Sequence, residues 1–530
     1  MRIAFSILLS LLVSNLFAQI EGKSGGILKP EQAIMDVRHY KIQLSVDPGS
    51  KTIAGTTTIK LVTSEPTSQL VFDLSDSLPT SKTFIDGTSA KFTHNGNLLV
   101  INASEPIPAG KHEALIHYGG KPIVAKRPPW KGGFTWDKDS SGNPFIAITC
   151  QLEGGKIYFP CKDHPGDEAN EGADLIISVP KGLVVAGPGL LIKKSGKGNQ
   201  TTFHWQTNYT INNYSIVFNV GKYRVVERKY RTIDGHSVPM QFYVLEQNIA
   251  KAEHHLDILE RIAQLQEKYF GEYPWIKEKI AICETPHLGM EHQTMNAYGN
   301  KFRYSQVGGK DFDWLMHHEF GHEWWGNKVT ANDWADMWIQ EGICSYGDAL
   351  YVLDHDGEAA YLKRMRETAM HTANKVPVVQ GKDLATDTVY IGDIYGKGAL
   401  FMHTLRFVIG DSIFFPALKA FATDPKYTYD NKVTTKDVQE HFSKASGKDL
   451  KPLFDLFIYS TKKLDIVVKQ VSSNEYSLTI QNINMELPVK IVTDGRVQLM
   501  ELNANSQIVT SQMPPVVDPD GWYLKRVILE

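Results

Sequence analysis

The sequence predicts a multidomain α+β protein, with an all-β domain first, a mixed α/β domain in the middle and a small β domain last. Three observations support this prediction. The 530 residues are enough for about three to four domains of roughly 150 residues each. Alternating apolar segments dominate residues 39–227 and return at Leu464, and helical periodicity dominates the residues between them. We therefore divide the chain into residues 19–227, 228–462 and 463–530, after a leader of residues 1–18.

The leader is typical of a secretory signal peptide, with Arg2, an apolar run and small residues near Ala18. We expect cleavage to leave Gln19 at the N-terminus and the protein to be secreted or periplasmic. A membrane anchor is the alternative, but the uncharged run from Ile3 to Ile20 is barely long enough to cross a bilayer. No later run is as apolar, so we expect no stable membrane span once the signal peptide is removed.

The predicted elements change character along the chain. Residues 39–227 contain short alternating segments, such as YKIQLSV and YSIVFNV, separated by Gly, Pro, Asn and Asp, which is typical of an all-β domain. From Ile249 to Leu265 apolar residues recur at close to helical spacing, and Gly271 then favours a helix end. Helical stretches continue through FDWLMHHEFGHEWWG and GALFMHTLRFVI before a strand pattern, LDIVVKQV, returns at Leu464.

Composition narrows the function classes. Lys and Arg number 56 and Asp and Glu 59, so the net charge of −3 supplies no basic field and we expect no nucleic-acid partner. The four cysteines are too few to form a disulfide framework in a chain of this length, and none lies in a Cys-x-x-Cys pair. Cys150 and Cys161 could bridge a hairpin, although buried free thiols are the favoured interpretation. The sequence does not indicate an oligomeric state.

The segment W-L-M-H-H-E-F-G-H-E-W-W-G, residues 314–326, contains the most informative motif. On a helix, residues four apart share a face, so His318 and His322 can present their imidazoles to one metal ion. Glu319 lies beside that face and could take a proton from water at the metal. His317 cannot replace His318 in this pairing, because the residue four positions later is Gly321.

A hydrolytic zinc site requires a third protein ligand and an open fourth position. Glu341, in the segment W-A-D-M-W-I-Q-E-G, could supply that ligand if a second helix packs over the first. The sequence therefore predicts one Zn²⁺ per chain, bound by His318, His322 and Glu341. The tryptophans around this motif are most simply core residues. Asp336 is a candidate for a carboxylate that orients a metal ligand.

These motifs resemble those of the gluzincin zinc aminopeptidases, the family of aminopeptidase N and the leukotriene hydrolases. In that family HExxH is followed by a glutamate after eighteen residues, as it is here at Glu341. G-N-K-V-T, 326–330, and W-I-Q-E-G, 338–342, are similar to the family's GNxVT and WLNEG. Three further segments resemble other landmarks of the family: F-P-C-K-D at 159–163, L-G-M-E-H at 288–292 and Y-G-K-G at 395–398. The resemblance covers most of the chain and implies a thermolysin-like zinc catalytic domain over residues 228–462.

The resemblance also implies the reaction. The protein is expected to be a secreted hydrolase, a zinc metalloprotease that removes N-terminal residues from peptides with a free N-terminus. Glu319 would act as general base. Tyr395 of the Y-G-K-G segment would donate a hydrogen bond to the oxyanion of the tetrahedral intermediate, and Tyr390 is a weaker candidate for the same role.

Substrate binding is expected at the L-G-M-E-H segment. The resemblance implies that Glu291 binds the substrate's α-ammonium group with help from Gln151. Gly289 allows a ligand to approach the backbone closely, and Met290 belongs to the same motif. His292 is more simply a hydrogen-bonded structural residue than a ligand.

Two departures from the family pattern affect these expectations. Leu288 and His292 stand where the family's exopeptidase motif has Gly and Asn. The chain also stops after a small β domain, whereas a large helical C-terminal domain is typical, so the site could be more open or be closed by a partner subunit. Two alternatives stay open: an endopeptidase of thermolysin type, which would not need Glu291, and a catalytically silent binding protein on the same scaffold.

Overall fold

Strands build the first part of the protein. The computed structural model describes residues 23–530, so the predicted signal peptide lies outside the described residues. A short helix, α1 (Pro30–Ala33), precedes strands whose side chains alternate between buried and less buried positions, as expected when one face packs on a core. Strands β1 to β14 are, in order, Met35–Asp47, Thr52–Thr63, Thr67–Asp73, Thr80–Ile85, Thr88–Asn95, Leu98–Ile107, Gly110–Gly120, Gly133–Lys138, Pro144–Thr149, Ala173–Pro180, Val184–Ala186, Leu190–Lys197, Gln200–Thr207 and Asn219–Gly221.

These strands form two sheets. Ten of them lie in the order β12-β13-β10-β1-β2-β7-β4-β5-β6-β3, and four in the order β11-β14-β9-β8. β1 pairs antiparallel with β2 and parallel with β10. β9 ends at Thr149, so the chain leaves the smaller sheet two residues before Gln151. All four cysteines are buried and free, as the sequence favoured.

A five-stranded sheet and most of the helices form the middle part. Its strand order is β15-β16-β17-β19-β18, and our predicted boundary at residue 228 lies inside β15. Strands β15 to β23 are Tyr223–Arg231, Ser237–Leu245, Ile280–Glu284, Gly289–Met290, Asn296–Tyr298, Ser305–Val307, Lys310–Phe312, Thr330–Ala331 and Lys432–Val433. Helices α2 to α9 are Ala252–Phe270, Trp314–Gly321, Trp338–His371, Thr386–Val389, Gly392–Ile409, Asp411–Thr423, Thr435–Ser446 and Lys451–Phe457.

Local sequence explains where the key helices begin and end. α2 buries an apolar face and stops at Gly271, which adopts a φ of 88°. Asp313 caps α3, because its carboxylate accepts a hydrogen bond from the backbone N–H of Met316 at 3.1 Å. α3 ends at Gly321, so the observed helix is shorter than the helical stretch FDWLMHHEFGHEWWG that the sequence predicted. His322 still has right-handed helical angles, φ −66° and ψ −14°, which keeps its side chain near the helix face.

The last part is again built from strands and packs on α6. Strands β24 to β30 are Leu464–Ser472, Glu475–Ile480, Leu487–Thr493, Arg496–Leu502, Gln507–Thr510, Val516–Val517 and Lys525–Leu529. They form two small sheets, β28-β25-β24-β30 and β27-β26-β29. The ring of Trp522 stacks on His403 and Phe407 of α6, with centroids 4.3 and 4.6 Å apart. The succession of β, mixed and β regions confirms the predicted fold class.

Among residues 23–530, none of the helices combines the length and the apolar composition needed to cross a membrane.

Candidate active site

Three predicted metal ligands meet where α3 packs against α4. The Nε2 atoms of His318 and His322 are 3.3 Å apart. Oε2 of Glu341, in the first turn of α4, lies 3.4 Å from Nε2 of His318 and 3.3 Å from Nε2 of His322. The three atoms therefore form a nearly equilateral triangle.

The triangle fits a tetrahedral zinc site. Zinc bonds nitrogen and oxygen at roughly 2.0–2.1 Å, so ligand atoms at tetrahedral angles are separated by about 3.3–3.4 Å. Glu341 is buried, and its Oε2 has no hydrogen-bond partner among the described residues. A buried carboxylate oxygen without a donor is costly unless a cation meets it. The donor atoms, their spacing and this oxygen all suit one zinc ion.

Polar contacts at the far sides of the two rings favour the same tautomer for both histidines. Nδ1 of His322 lies 2.8 Å from the backbone carbonyl oxygen of Trp325 and can only donate to it. Nδ1 of His318 lies 3.5 Å from Oδ2 of Asp348, whose Oδ1 is 2.7 Å from Nδ1 of His317. With the proton held at Nδ1, each Nε2 presents its lone pair to the metal position.

Asp348, rather than Asp336, is the carboxylate that faces a predicted metal ligand. The prediction for Asp336 was wrong, because its Oδ1 accepts hydrogen bonds from the backbone N–H and the hydroxyl of Thr435, at 3.1 and 2.5 Å. Asp348 lies two helical turns after Glu341 on α4, and an i to i+7 spacing from a ligand was the only sequence signal for it.

The predicted general base, Glu319, lies beside the triangle in a crowded position. It is 9% exposed, and an oxygen of its carboxylate lies within 4.8 Å of ligand atoms of His322 and Glu291. A Cβ atom on Gly289 would fall 2.5 Å from Oε1 of Glu319. Burial raises the pKa of Glu319 to about 8, against the opposing effect of the neighbouring histidines. The backbone of β18 thus fixes one side of this carboxylate.

Glu291 follows β18 and is buried at 3% exposure. Its Oε1 accepts a hydrogen bond from Nε2 of Gln151 at 2.5 Å, so the two residues that sequence reasoning paired are in contact. Its backbone carbonyl accepts a hydrogen bond from Nδ2 of Asn327 at 2.8 Å. Burial raises the pKa of Glu291, and the proximity of His322 opposes that shift.

A buried polar network that the sequence did not indicate holds the Glu291 loop against the segment that contains the predicted metal ligands. Glu323, directly after His322, accepts hydrogen bonds from the backbone N–H of Thr294 at 2.9 Å and from Nε1 of Trp275 at 2.6 Å. Thr294 has a φ of 58°, a left-handed conformation that non-glycine residues rarely adopt. Nδ2 of Asn327 donates hydrogen bonds to Glu323 and to the backbone carbonyl of Glu291. These contacts connect the Glu291 loop to the segment that follows α3.

Two tyrosines line the same cleft as the predicted metal ligands. Tyr395 lies in the first turn of α6, with its ring centroid 5.9 Å from that of His318. The hydroxyl groups of Tyr395 and Tyr390 are 2.8 Å apart. Burial raises the pKa of Tyr395 well above its ordinary value, so this phenol keeps its proton and remains a donor at neutral pH.

The structure brings every predicted site residue to one cleft of about 470 Å³. The N-terminal domain contributes Gln151 and the loop residues Arg127, Pro129 and Trp130. The predicted residues in the cleft lining are Gln151, Gly289, Met290, Glu291, His318, Glu319, His322, Glu341 and Tyr395. His292 lies outside this lining and is buried. Four tryptophans of the two motif segments are core residues: Trp324, Trp325, Trp334 and Trp338.

Comparison with known families identifies the fold and the class. Residues 37–214 match the Peptidase M1 N-terminal domain, and residues 254–457 match the Peptidase family M1 domain. The chain therefore belongs to the M1 peptidase family.

Relatives and solved structures agree with this assignment. Aminopeptidase M1-B of Oryza sativa subsp. japonica is 23% identical over 442 residues, covering 78% of this chain and 48% of the relative. Leucyl aminopeptidase of Saccharolobus solfataricus is 21% identical, covering 66% of this chain and 47% of the relative. The chain thus spans about half the length of the curated relatives it matches. The M1 zinc metallopeptidase of Deinococcus radiodurans has the same fold, with a TM-score of 0.67 at 20% identity over 83% of this chain and 96% of that one.

Proposed function

We propose that this protein is a zinc-dependent aminopeptidase that hydrolyses the first peptide bond of peptides with a free N-terminus. The observation that carries the proposal is the buried carboxylate of Glu291 in the metal cleft, which has no Lys or Arg partner among the described residues. A buried carboxylate of this kind favours a cationic ligand. The α-ammonium group of a peptide is the cation that would stand one residue from the scissile bond.

His318, His322 and Glu341 would hold one zinc ion per chain. Zinc in such a site supplies Lewis acidity, which makes a water molecule acidic enough to lose a proton near neutral pH. Asp348 and the carbonyl oxygen of Trp325 keep the two imidazoles in the required tautomer.

Glu319 would move the protons. Its carboxylate accepts a proton from the attacking water and then delivers it to the nitrogen of the leaving amine. A pKa near neutral pH suits both steps, because the carboxylate that accepts the proton and the carboxylic acid that delivers it are then both accessible. Gly289 leaves the space that this carboxylate occupies.

Tyr395 would stabilise the oxyanion. The phenol O–H donates a hydrogen bond to the oxygen of the scissile carbonyl as charge develops there. Tyr390 holds the Tyr395 hydroxyl in position through the 2.8 Å contact between the two oxygens. A fixed neutral donor stabilises the developing charge without reorganisation at the moment of reaction.

The names of two relatives and one solved complex support the proposal. Two of the matched relatives, from Oryza sativa subsp. japonica and Saccharolobus solfataricus, are named aminopeptidases. A mutant of the Deinococcus radiodurans metallopeptidase has been solved with a Tyr-Ser-Ala substrate, again at 20% identity and a TM-score of 0.67.

The test compares pairs of fluorogenic aminoacyl amides that differ only in N-acetylation. We expect cleavage of the free amines, with kcat/KM at least about 30-fold above that of the acetylated partners, since an unpaired buried charge costs 2 kcal/mol or more. Chelation should abolish the activity and added zinc restore it, and metal analysis should find one zinc per chain. Glu319→Gln, which keeps the ligand set, is the matched inactive control.

Two outcomes would contradict the proposal. Equal cleavage of free and acetylated substrates would indicate an endopeptidase. A zinc-loaded protein that cleaves neither would indicate a binding protein on this scaffold.

We further propose that the protein acts outside the cytosol, on the basis of the leader pattern in residues 1–18. N-terminal sequencing of the protein from its native host should begin at Gln19. An N-terminus at Met1 in the mature protein would contradict this location.

A further inference from the structure

A second pocket lies apart from the metal cleft and shares none of its lining residues. It has a volume of about 250 Å³ and is formed by the end of α2, the turn after the metal-binding helix and the end of α7. We call it the Lys328 pocket, after the buried lysine in its wall. Its other lining residues include Tyr209, Glu272, Lys419 and Tyr429.

Lys328 is the unusual residue in this pocket. It is only 6% exposed, although its ammonium group carries a charge at neutral pH. Within the described part of the chain no carboxylate forms an ion pair with it; Nζ instead lies 5.4 Å from the ring centroid of Tyr429. Burial lowers the pKa of Lys328 to about 8, and the negative charge of Glu272 opposes that shift.

Within residues 23–530 Glu272 acts on Lys328 electrostatically, but neither it nor another carboxylate forms an ion pair with the ammonium group. Lys419 adds a second ammonium group to the lining and, among residues 23–530, has no ion-pair partner either. Oε1 of Glu272 is occupied by Nδ1 of His236 at 2.6 Å and by the hydroxyl of Thr232. Asp234 lies at the rim and is exposed, where water screens its charge.

The aromatic side chains give the pocket a defined wall. The rings of Tyr209 and Tyr429 are nearly parallel, 17° apart, with centroids separated by 6.1 Å. Tyr429 has a φ of 58°, and its backbone N–H donates to the carbonyl oxygen of Lys328 at 2.8 Å. Lys328 and the ring it faces are therefore fixed to each other through the backbone.

We propose that the Lys328 pocket binds a small oxyanion, a phosphate or a carboxylate group, held by the ammonium groups of Lys328 and Lys419. A desolvated cation is stabilised by an anion that accepts charge-assisted hydrogen bonds. Lys328 belongs to the G-N-K-V-T segment that begins four residues after His322, so the ligand would contact the turn that follows the metal-binding helix. This inference does not depend on the proposed peptidase activity.

Thermal unfolding of the full, zinc-loaded protein tests the proposal. The midpoint is followed against increasing inorganic phosphate, and separately against acetate, with sodium chloride holding the ionic strength constant. We expect a saturable rise for the wild type with at least one anion, and the anion that acts identifies the ligand class. Lys328→Met should weaken the apparent affinity roughly 10- to 100-fold, as expected for loss of a hydrogen bond to a charged group.

Two further variants keep the test interpretable. Lys419→Met should also weaken binding, and Lys436→Met, which alters a lysine whose side chain is 78% exposed, should leave it unchanged. Without anion, Lys328→Met should be at least as stable as the wild type, because a desolvated charge has been removed. An equal rise in wild type and Lys328→Met would place the anion elsewhere, for example in the metal cleft, and would overturn the proposal. No rise in the wild type with either anion would overturn it as well.

Discussion

Replacing Gly289 by alanine perturbs the proposed general base without touching the metal ligands. Gly289 lies in β18 at a φ outside the left-handed region, so its backbone accepts an L residue. The new Cβ would lie 2.5 Å from Oε1 of Glu319 and 2.7 Å from Cδ1 of Leu315. Restoring an ordinary contact of 3.4 Å requires the carboxylate oxygen to move by about 0.9 Å.

That displacement predicts the size of the effect. A misplacement of about 1 Å costs roughly 10²-fold in rate, or about 2.7 kcal/mol in activation free energy. We therefore expect Gly289→Ala to lower kcat by about 10²-fold while zinc content stays at the wild-type level. Steady-state kinetics on a free aminoacyl amide, together with metal analysis, measures both quantities.

Gly392 offers a matched control for this variant. It lines the same cleft, and a Cβ atom there meets nothing within 4 Å. Gly392→Ala should retain wild-type kcat to within a few-fold, because it adds the same methyl group without a clash. If Gly289→Ala kept kcat within about 3-fold of the wild type, the steric argument for how Glu319 is held would be refuted.

Three other predictions concern groups around the site and in the core. Tyr395→Phe should lower kcat by roughly 10²- to 10³-fold with little change in KM, whereas Tyr390→Phe should lose less, because it removes only a positioning contact; a pure KM effect of Tyr395→Phe would contradict its role. Asp348→Asn should weaken zinc affinity roughly 10- to 100-fold, measured by competition with a chelator, and unchanged affinity would show that Asp348 does not orient His318. Burial lowers the pKa of His403 to about 3, below its unfolded value of about 6.5. The unfolded protein therefore takes up a proton at His403 before the folded protein does. The free energy of unfolding is unaffected above about pH 6.5 and decreases as pH falls below it. Between pH 8 and 5 the wild type should lose about 2 kcal/mol of unfolding free energy that His403→Gln does not lose, and identical pH dependence in urea unfolding would contradict this.

The convergence of His318, His322 and Glu341 was predictable because its geometry is largely local. The spacing of His318 and His322 determines which helix face they share, whatever the rest of the fold. The prediction for Glu341 required only that a second helix pack over the first, and α4 packs over α3. The buried tryptophans were predictable for the same reason, since apolar residues on two packed helices form a core.

The supporting contacts were not predictable because they join distant segments. Asp348 faces His318 from another helix, and Asp336 faces Thr435 instead, although both carboxylates follow the motif closely in sequence. The left-handed conformation of Thr294 and the bonds of Glu323 and Asn327 depend on how the loop after β18 packs. A single sequence contains no signal for which of several nearby carboxylates will point at a ligand.

The most direct test of the account is the kinetic effect of Glu291→Gln on matched free and N-acetylated substrates. The variant removes the negative charge and keeps the size of the side chain, and the zinc ligands are unchanged. We expect kcat/KM to fall by at least about 30-fold on the free aminoacyl amide and to change little on its acetylated partner, because only the first carries the cation that Glu291 binds. An equal loss on both substrates, or none on either, would contradict the claim that Glu291 makes this metal site an aminopeptidase.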